Sequence, residues 1–300
     1  MNIAIINYPH ALQSAVHGLF ELFEMANELC DGSAPFVCNI LKINQLNKHP
    51  AQDVIILPPS LKNDFYLNPS AELLNWLTQQ HNQHATLCSA CSGAFILAQA
   101  GLLNGQTVTT HWALADTFAQ RFEHVALDVQ QILINQNNII TAGGVMSWLD
   151  LGLEIVAQHA GPSVMIQLGK NLVVDTGHRS QRYYQQFIPK RNHGDQGILQ
   201  AQIFLDKHYA KKIKVAKLAS IGHMSERSFL RRFAQASGFK PSEYIQRLRI
   251  QKACELLERT KKSFEAIALE VGYEDASACR KVFVRIIELT PKQFRQRFVK

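Results

Sequence analysis

Residues 86–101 read TLCSACSGAFILAQAG. Positions 86–90 form a short apolar run, Cys91-Ser92-Gly93 interrupts it, and 94–100 resume with helix formers closed by Gly101. A strand that turns sharply into a helix is the joint of an α/β sheet, since a crossover helix returns the chain for parallel pairing. The turn residue is pushed out at the sheet's edge, and the helix N-terminus behind it favours an anion, so the spacing predicts a thiol of lowered pKa at Cys91. Cys91 is therefore a candidate nucleophile or ligand sensor; a small buried cysteine fitting a tight turn is the competing reading.

The alternation extends in both directions from this joint. Residues 1–7, 36–40 and 54–57 read as strands, and 16–29 and 71–80 have helical spacing. Residues 131–136 and 139–142 flank Asn137-Asn138, a tight turn, and 146–159 form a long apolar helix entered from Gly143-Gly144. Strand–helix alternation predicts a doubly wound α/β domain over residues 1–185, with its ligand crevice beyond the carboxyl ends of the strands.

The strings LCSACSGAFILAQAGLLNGQTVTTHW (87–112) and ITAGGVMSWLDLGLEIV (140–156) resemble the ThiJ/PfpI, class I glutamine-amidotransferase-like domain, in the branch found in transcriptional regulators. The resemblance implies that Cys91 sits at a nucleophile elbow and that His111 faces its thiol. It also implies a ligand set of Cys91, Ser92, His111 and Ser60. Enzymatic members carry an acidic residue near the elbow, where this chain has Ala15, and their Pro-Gly-Gly turn appears here as Pro58-Pro59-Ser60, a stiffer turn in which Ser60 still offers its N–H. The expectation is a non-enzymatic domain. Glu21 and Glu24 lie nearby but belong to a solvated helix face. Cys88 and Cys91 make a C-x-x-C, yet Cys88 falls inside the strand, which disfavours a redox pair. No His/Cys spacing suits a metal, so neither metal nor cofactor is expected.

The charge of +7 over 300 residues is unevenly shared. Residues 1–190 hold 8 Lys/Arg against 13 Asp/Glu, and residues 191–300 hold 23 against 11. A mildly acidic half precedes a strongly basic one, which points to a polyanionic partner. The 47% hydrophobic content excludes wholesale disorder, no apolar run approaches a membrane span, and residues 1–6 lack the pattern of a secretory signal. Six cysteines on apolar or helical stretches suit reduced thiols, so the chain is expected to be cytoplasmic.

The basic part repeats itself at a spacing of 50. Ala216 matches Ala266, Gly222 Gly272, Arg231 Lys281, Phe233 Phe283, Pro241 Pro291 and Tyr244 Phe294. Each copy reads as an apolar helix (215–221 and 264–271), a turn at glycine and a second helix (225–235 and 276–287), which is helix-turn-helix. Ser225 is placed as an N-cap, Phe229, Leu230 and Phe233 as the buried stripe, and Arg227, Ser228 and Arg231, flanked by Arg232, as the face toward a major groove. The second copy offers Glu274, Asp275, Ser277, Ala278 and Lys281. A connecting helix over 241–258 spans about 27 Å, comparable to the ~34 Å between successive major-groove faces. Lys211, Lys212, Lys214 and Lys217 are either phosphate contacts or a solvated surface.

IALEVGYEDAS (267–277), TPKQFR (290–295) and MSERSFLRRF (224–233) resemble the AraC/XylS family of transcription factors over residues 198–300. Two departures are Cys279, where the family has an aromatic core residue, and Glu288, where it has glycine. Residues 186–197, polar and containing Pro and Gly, are expected to be a linker. The sequence thus predicts an α/β doubly wound domain plus an all-α domain with two helix-turn-helix motifs. The expected function is sequence-specific regulation of transcription on double-stranded DNA, the first domain sensing a small molecule or mediating dimerisation. A homodimer is expected, with RNA polymerase a candidate partner and no membrane. The alternative is a cysteine-dependent hydrolase or hydratase of the amide, nitrile or isonitrile type, fused to a DNA-binding domain.

Overall fold

Strands buried on both faces are predominantly apolar, and residues 3–6, 54–57 and 87–90, with Ser89 the polar exception, are almost fully excluded from solvent. They build the centre of a six-stranded sheet in the computed structural model, which describes every residue except 31, 33, 50, 63, 178 and 300. Its strands are β1 (Asn2–Ile6), β2 (Val37–Leu41), β3 (Val54–Leu57), β4 (Thr86–Ala90), β7 (Leu133–Gln136) and β8 (Ile139–Ala142); β5 (Thr107–Val108) and β6 (Ala126–Leu127) form a separate parallel pair. The order is β2-β1-β3-β4-β8-β7, parallel except for β7 against β8. Asn137 and Asn138 both take positive φ, 50° and 60°, as a two-residue hairpin turn requires. Around the sheet lie α1 (Gln13–Glu28), α2 (Ala71–Asn82), α3 (Gly93–Gln99), α4 (Ala115–Arg121), α5 (Trp148–His159) and α6 (Pro162–Leu172). Helices α1, α5 and α6 pack together and α2 pairs with α3, giving the doubly wound arrangement. The helix expected from 146 begins at Trp148, with Met146 exposed in the turn before it.

From β1 the chain goes to one side to form β2 and to the other to form β3. The loops leaving the carboxyl ends of β1, β3 and β4 therefore converge where a doubly wound sheet opens its crevice. They are tied together: Ala11 bridges Ser60, and Leu12 N–H donates to Pro59 O at 2.7 Å.

The second unit begins at Arg182, the first ending at Gln181. This differs from the expected limit at 185 and the expected linker over 186–197. Polarity there serves the second unit's own surface: Tyr183 is buried in one of its cores, the Phe187 ring meets Tyr244 at 5.1 Å, and Arg191 pairs with Asp206. Among the described residues seven α-helices follow, α7 (Gln196–His208), α8 (Val215–Ile221), α9 (Glu226–Ser237), α10 (Pro241–Arg259), α11 (Phe264–Glu270), α12 (Ala276–Ile287) and α13 (Pro291–Phe298). One core joins α7, α8, α9 and the first half of α10 around Phe229, Phe233 and Tyr244; the other joins the second half of α10 to α11, α12 and α13 around Cys279, Phe283 and Phe294. Helix α10 is the shared beam.

The repeat carries down to single backbone positions. Helix α9 ends on Gly238 at φ 78°, and the equivalent residue after α12 is Glu288 at φ 64°. Glycine adopts this left-handed conformation without strain and glutamate does not. Glu288→Gly is expected to stabilise the C-terminal unit by about 0.5–1 kcal/mol, because the Arg182–Glu288 pair it removes is partly solvent-exposed and worth less than the relieved strain. Denaturant titration should show a raised midpoint at unchanged slope.

Candidate nucleic-acid interface and elbow site

Cys91 follows β4 with φ 53°, the strained conformation of an elbow. Gly93 makes the turn possible, since a Cβ there would lie 2.5 Å from Leu57 O. The sharp corner was legible; the electrostatics were not. The side chain is 3% exposed, and burial pushes the thiol up to about 12 rather than down. Desolvation outweighs the N-terminus of a helix only seven residues long.

The other three expected ligand residues surround this corner in different states. Ser60 N–H donates to Ser92 Oγ at 2.8 Å and Ser92 Oγ donates back to Ser60 O at 3.3 Å, so the backbone donor of the Pro58-Pro59-Ser60 turn is satisfied internally. Tyr8 closes the corner from β1, its hydroxyl donating to Pro58 O at 2.5 Å, and burial raises its pKa. Ala15, at the place expected for an acid, is fully buried in the core. Thr110 Oγ1 donates to Cys91 O at 2.6 Å, bringing the segment that carries His111 to the elbow. The His111 Nδ1 accepts from Ala113 N–H, leaving Nε2 for any other partner, and burial lowers the imidazole's pKa. Burial thus favours the neutral form of both the Cys91 thiol and the His111 imidazole, the opposite of what a thiolate–imidazolium pair requires. Cys88 is buried inside β4 with its pKa raised by desolvation, and Glu21 and Glu24 are exposed.

Sequence reasoning missed Gln181. This buried side chain donates through Nε2 to Thr109 Oγ1, Thr110 O and Gln131 O, and its Oε1 accepts from Trp112 N–H. It holds the 109–112 segment from seventy residues away, a distance no local pattern encodes. Among the described residues no group of His, Cys, Asp and Glu could hold a metal ion, and no helix is long and apolar enough to cross a membrane.

In the second unit Ser225 caps α9, its Oγ accepting from Ser228 N–H. Phe229 and Phe233 are fully buried, but Leu230, expected in the same stripe, is 43% exposed. Each residue turns the helix by about 100°, which carries Leu230 round to the outer face with Arg227 and Arg231, both exposed. Arg232 departs from expectation in the opposite sense. Its guanidinium forks onto Asp195, Nε and Nη2 each at 2.8 Å from a carboxylate oxygen. Asp195 also caps α7 through Ile198 N–H, and the Arg232 hydrogen bonds hold its carboxyl below the usual range. Arg232 is thus a strut between α7 and α9.

Helix α12 presents Ser277, Ala278 and Lys281 as exposed residues. Asp275 accepts from Ser277 and Ala278 N–H, which lowers its pKa, and so acts as the helix cap rather than as a free reader; Glu274 is exposed beside it. Arg280, at the position matching Leu230, is held by Glu265 at 2.9 Å and lies 4.9 Å from the Phe264 ring centroid. The four lysines 211, 212, 214 and 217 are exposed around the start of α8. Arg249 has no counterpart in the sequence reading: from α10 it donates to Tyr209 O, Lys211 O and Gly272 O, fastening the α7–α8 connection and the turn of the second motif to the beam.

The sequence matches the DJ-1/PfpI family over residues 36–158 and a helix-turn-helix domain over 218–297. It is 26% identical over 224 residues to the HTH-type transcriptional regulator CdhR of Pseudomonas aeruginosa, covering 74% of this chain and 66% of CdhR, just under two thirds of that relative's length. It is 28% identical over 118 residues to the isonitrile hydratase of Pseudomonas putida, covering 37% of this chain and 47% of the hydratase. The first unit's fold is similar to that of Drosophila melanogaster DJ-1beta, with a TM-score of 0.50 at 15% identity, covering 58% of this chain and 98% of that one.

Proposed function

From a chain that joins a DJ-1/PfpI domain to an AraC-type helix-turn-helix domain, we propose a sequence-specific regulator of transcription that binds double-stranded DNA through α9 and α12. One observation carries the reading: the exposed faces of both helices present cations, Arg227 and Arg231 on one and Lys281 on the other, and among the described residues none of the three is in salt-bridge contact with an acidic side chain, Lys281 lying only within electrostatic range of the capping Asp275. Helix α10, 19 residues long, is about 28 Å from end to end, comparable with the ~34 Å major-groove repeat, and carries one motif on each half. The regulator acts in the cytoplasm as a homodimer whose first domain responds to a small molecule at the Cys91, Ser92, Ser60 and His111 corner, and RNA polymerase is its second macromolecular partner. Promoter fragments titrated with the full-length chain at rising salt test the reading. Several phosphate contacts require affinity to fall steeply with salt; a flat dependence, or equal affinity for any sequence, removes it.

The strained Cys91 and the similarity to a hydratase favour a second reading, cysteine-dependent hydration of an isonitrile, nitrile or amide. Its neutral thiol, buried corner and internally satisfied Ser60 N–H weigh against it. With a pKa of about 12, roughly one thiol in ten thousand is ionised at pH 8. Iodoacetamide should therefore label Cys91 in the native chain at least a hundredfold more slowly than it labels free glutathione, with a rate that climbs about tenfold per pH unit between 7 and 9. Mass spectrometry of the labelled peptide reads the result, and rapid, pH-independent labelling at pH 7 would restore the nucleophile.

A further inference from the structure

We propose that Leu230 is a specificity-determining residue that reads the 5-methyl group of a thymine in the major groove. The inference rests on the DNA-binding reading above. Leu230 lies on the outward face of α9, three residues after Arg227 and directly before Arg231, and remains 43% exposed. Its neighbours Phe229 and Phe233 fill the core without it. A phosphate or sugar edge offers an isobutyl side chain nothing to gain, and of the groups that base pairs display in the major groove only the thymine methyl is apolar. An apolar tip sharing the exposed face of a groove-facing helix with two arginines therefore selects a thymine beside positions that arginine can read or grip.

The repeat makes the assignment specific to one motif. The residue matching Leu230 in α12 is Arg280, which is engaged by Glu265 and Phe264 within its own motif. The apolar groups exposed on α12 are instead Ala278 and, further along, Val284 at 38%. The two helices thus cannot read the same sequence, and the two halves of the operator under one chain must differ.

The test starts from a random-sequence duplex pool selected with the full-length chain. Each thymine of the enriched site is then replaced singly by deoxyuridine, which removes only the methyl. For the unsubstituted chain at least one replacement under α9 should weaken binding about fourfold, the value of one buried methyl group. In Leu230→Ala that same replacement should have no effect, while Leu230→Gln, reselected on the pool, should shift that position toward adenine, which glutamine can bond through two atoms. Both variants change an exposed helical residue, and circular dichroism with thermal melting establishes that they fold. Enrichment of a site with no methyl effect that depends on Leu230 overturns this inference alone; failure to enrich any sequence overturns the regulator reading itself.

Discussion

Removing both guanidinium groups from the outward face of α9, by Arg227→Ala with Arg231→Ala, is expected to lower affinity for the selected operator by at least a hundredfold. Each arginine that forks onto a guanine contributes about 1–3 kcal/mol of discrimination, and each one that grips a phosphate contributes a released counterion. The two roles separate experimentally. Loss of a base contact affects the selected site much more than random duplex DNA, whereas loss of a phosphate contact weakens both alike and reduces the slope of log affinity against log salt by about one. Arg231, between Leu230 and the strut residue Arg232, is expected to behave as a base reader. The internal comparison is Arg232→Ala on the same helix. Because Arg232 is already forked onto Asp195, this variant should lower the melting temperature of the C-terminal unit and change operator affinity less than threefold. If Arg232→Ala abolished binding while Arg231→Ala left it intact, the face assigned to the groove would be the wrong one.

This contrast also marks how far the sequence alone could reach. The 50-residue repeat and the helical spacing located α9 and α12 almost to the residue, since both depend on local pattern. Charge and adjacency place Arg232 beside the groove face, and only folding brings Asp195, 37 positions earlier, against it. Apolarity places Leu230 with the core, but the 100° turn between positions 229 and 230 carries it to the surface, where it is 43% exposed. The elbow divides in the same way. Strand, turn and helix around Cys91 follow from short-range pattern, whereas the need for glycine at 93 comes from Leu57, 36 positions earlier. The thiol's pKa follows from the desolvation supplied by distant elements, and this reversed the expectation drawn from the adjacent helix. The two-residue strands β5 and β6 are too short for any periodicity to announce.

Apolar patterning, charge and caps shape the C-terminal unit, but its most sensitive position carries no side chain. Gly272, at the turn of the second motif, has φ 94°, and a Cβ built there would lie 2.1 Å from Ala210 O, 2.6 Å from its carbonyl carbon and 2.7 Å from its Cα. All three are backbone atoms, so no rotamer change relieves the clash. Nor can the Ala210 segment easily withdraw, because Arg249 grips the carbonyls on either side of it, Tyr209 O and Lys211 O, together with Gly272 O itself. Gly272→Ala should therefore combine left-handed strain with displacement of the Arg249 clamp, a loss of about 3–5 kcal/mol. The matched control is Gly238→Ala, whose φ is 78° but whose added Cβ would meet nothing within 4 Å; it should cost only about 1 kcal/mol. Hydrogen exchange would read the two variants by segment. For Gly272→Ala, protection should fall across α10 to α13 while the buried strands of the first unit stay protected, and operator binding should be lost even though every residue of the groove-facing surface is retained. Similar melting of the two variants would show that the contact between Gly272 and Ala210 does not hold the second motif together.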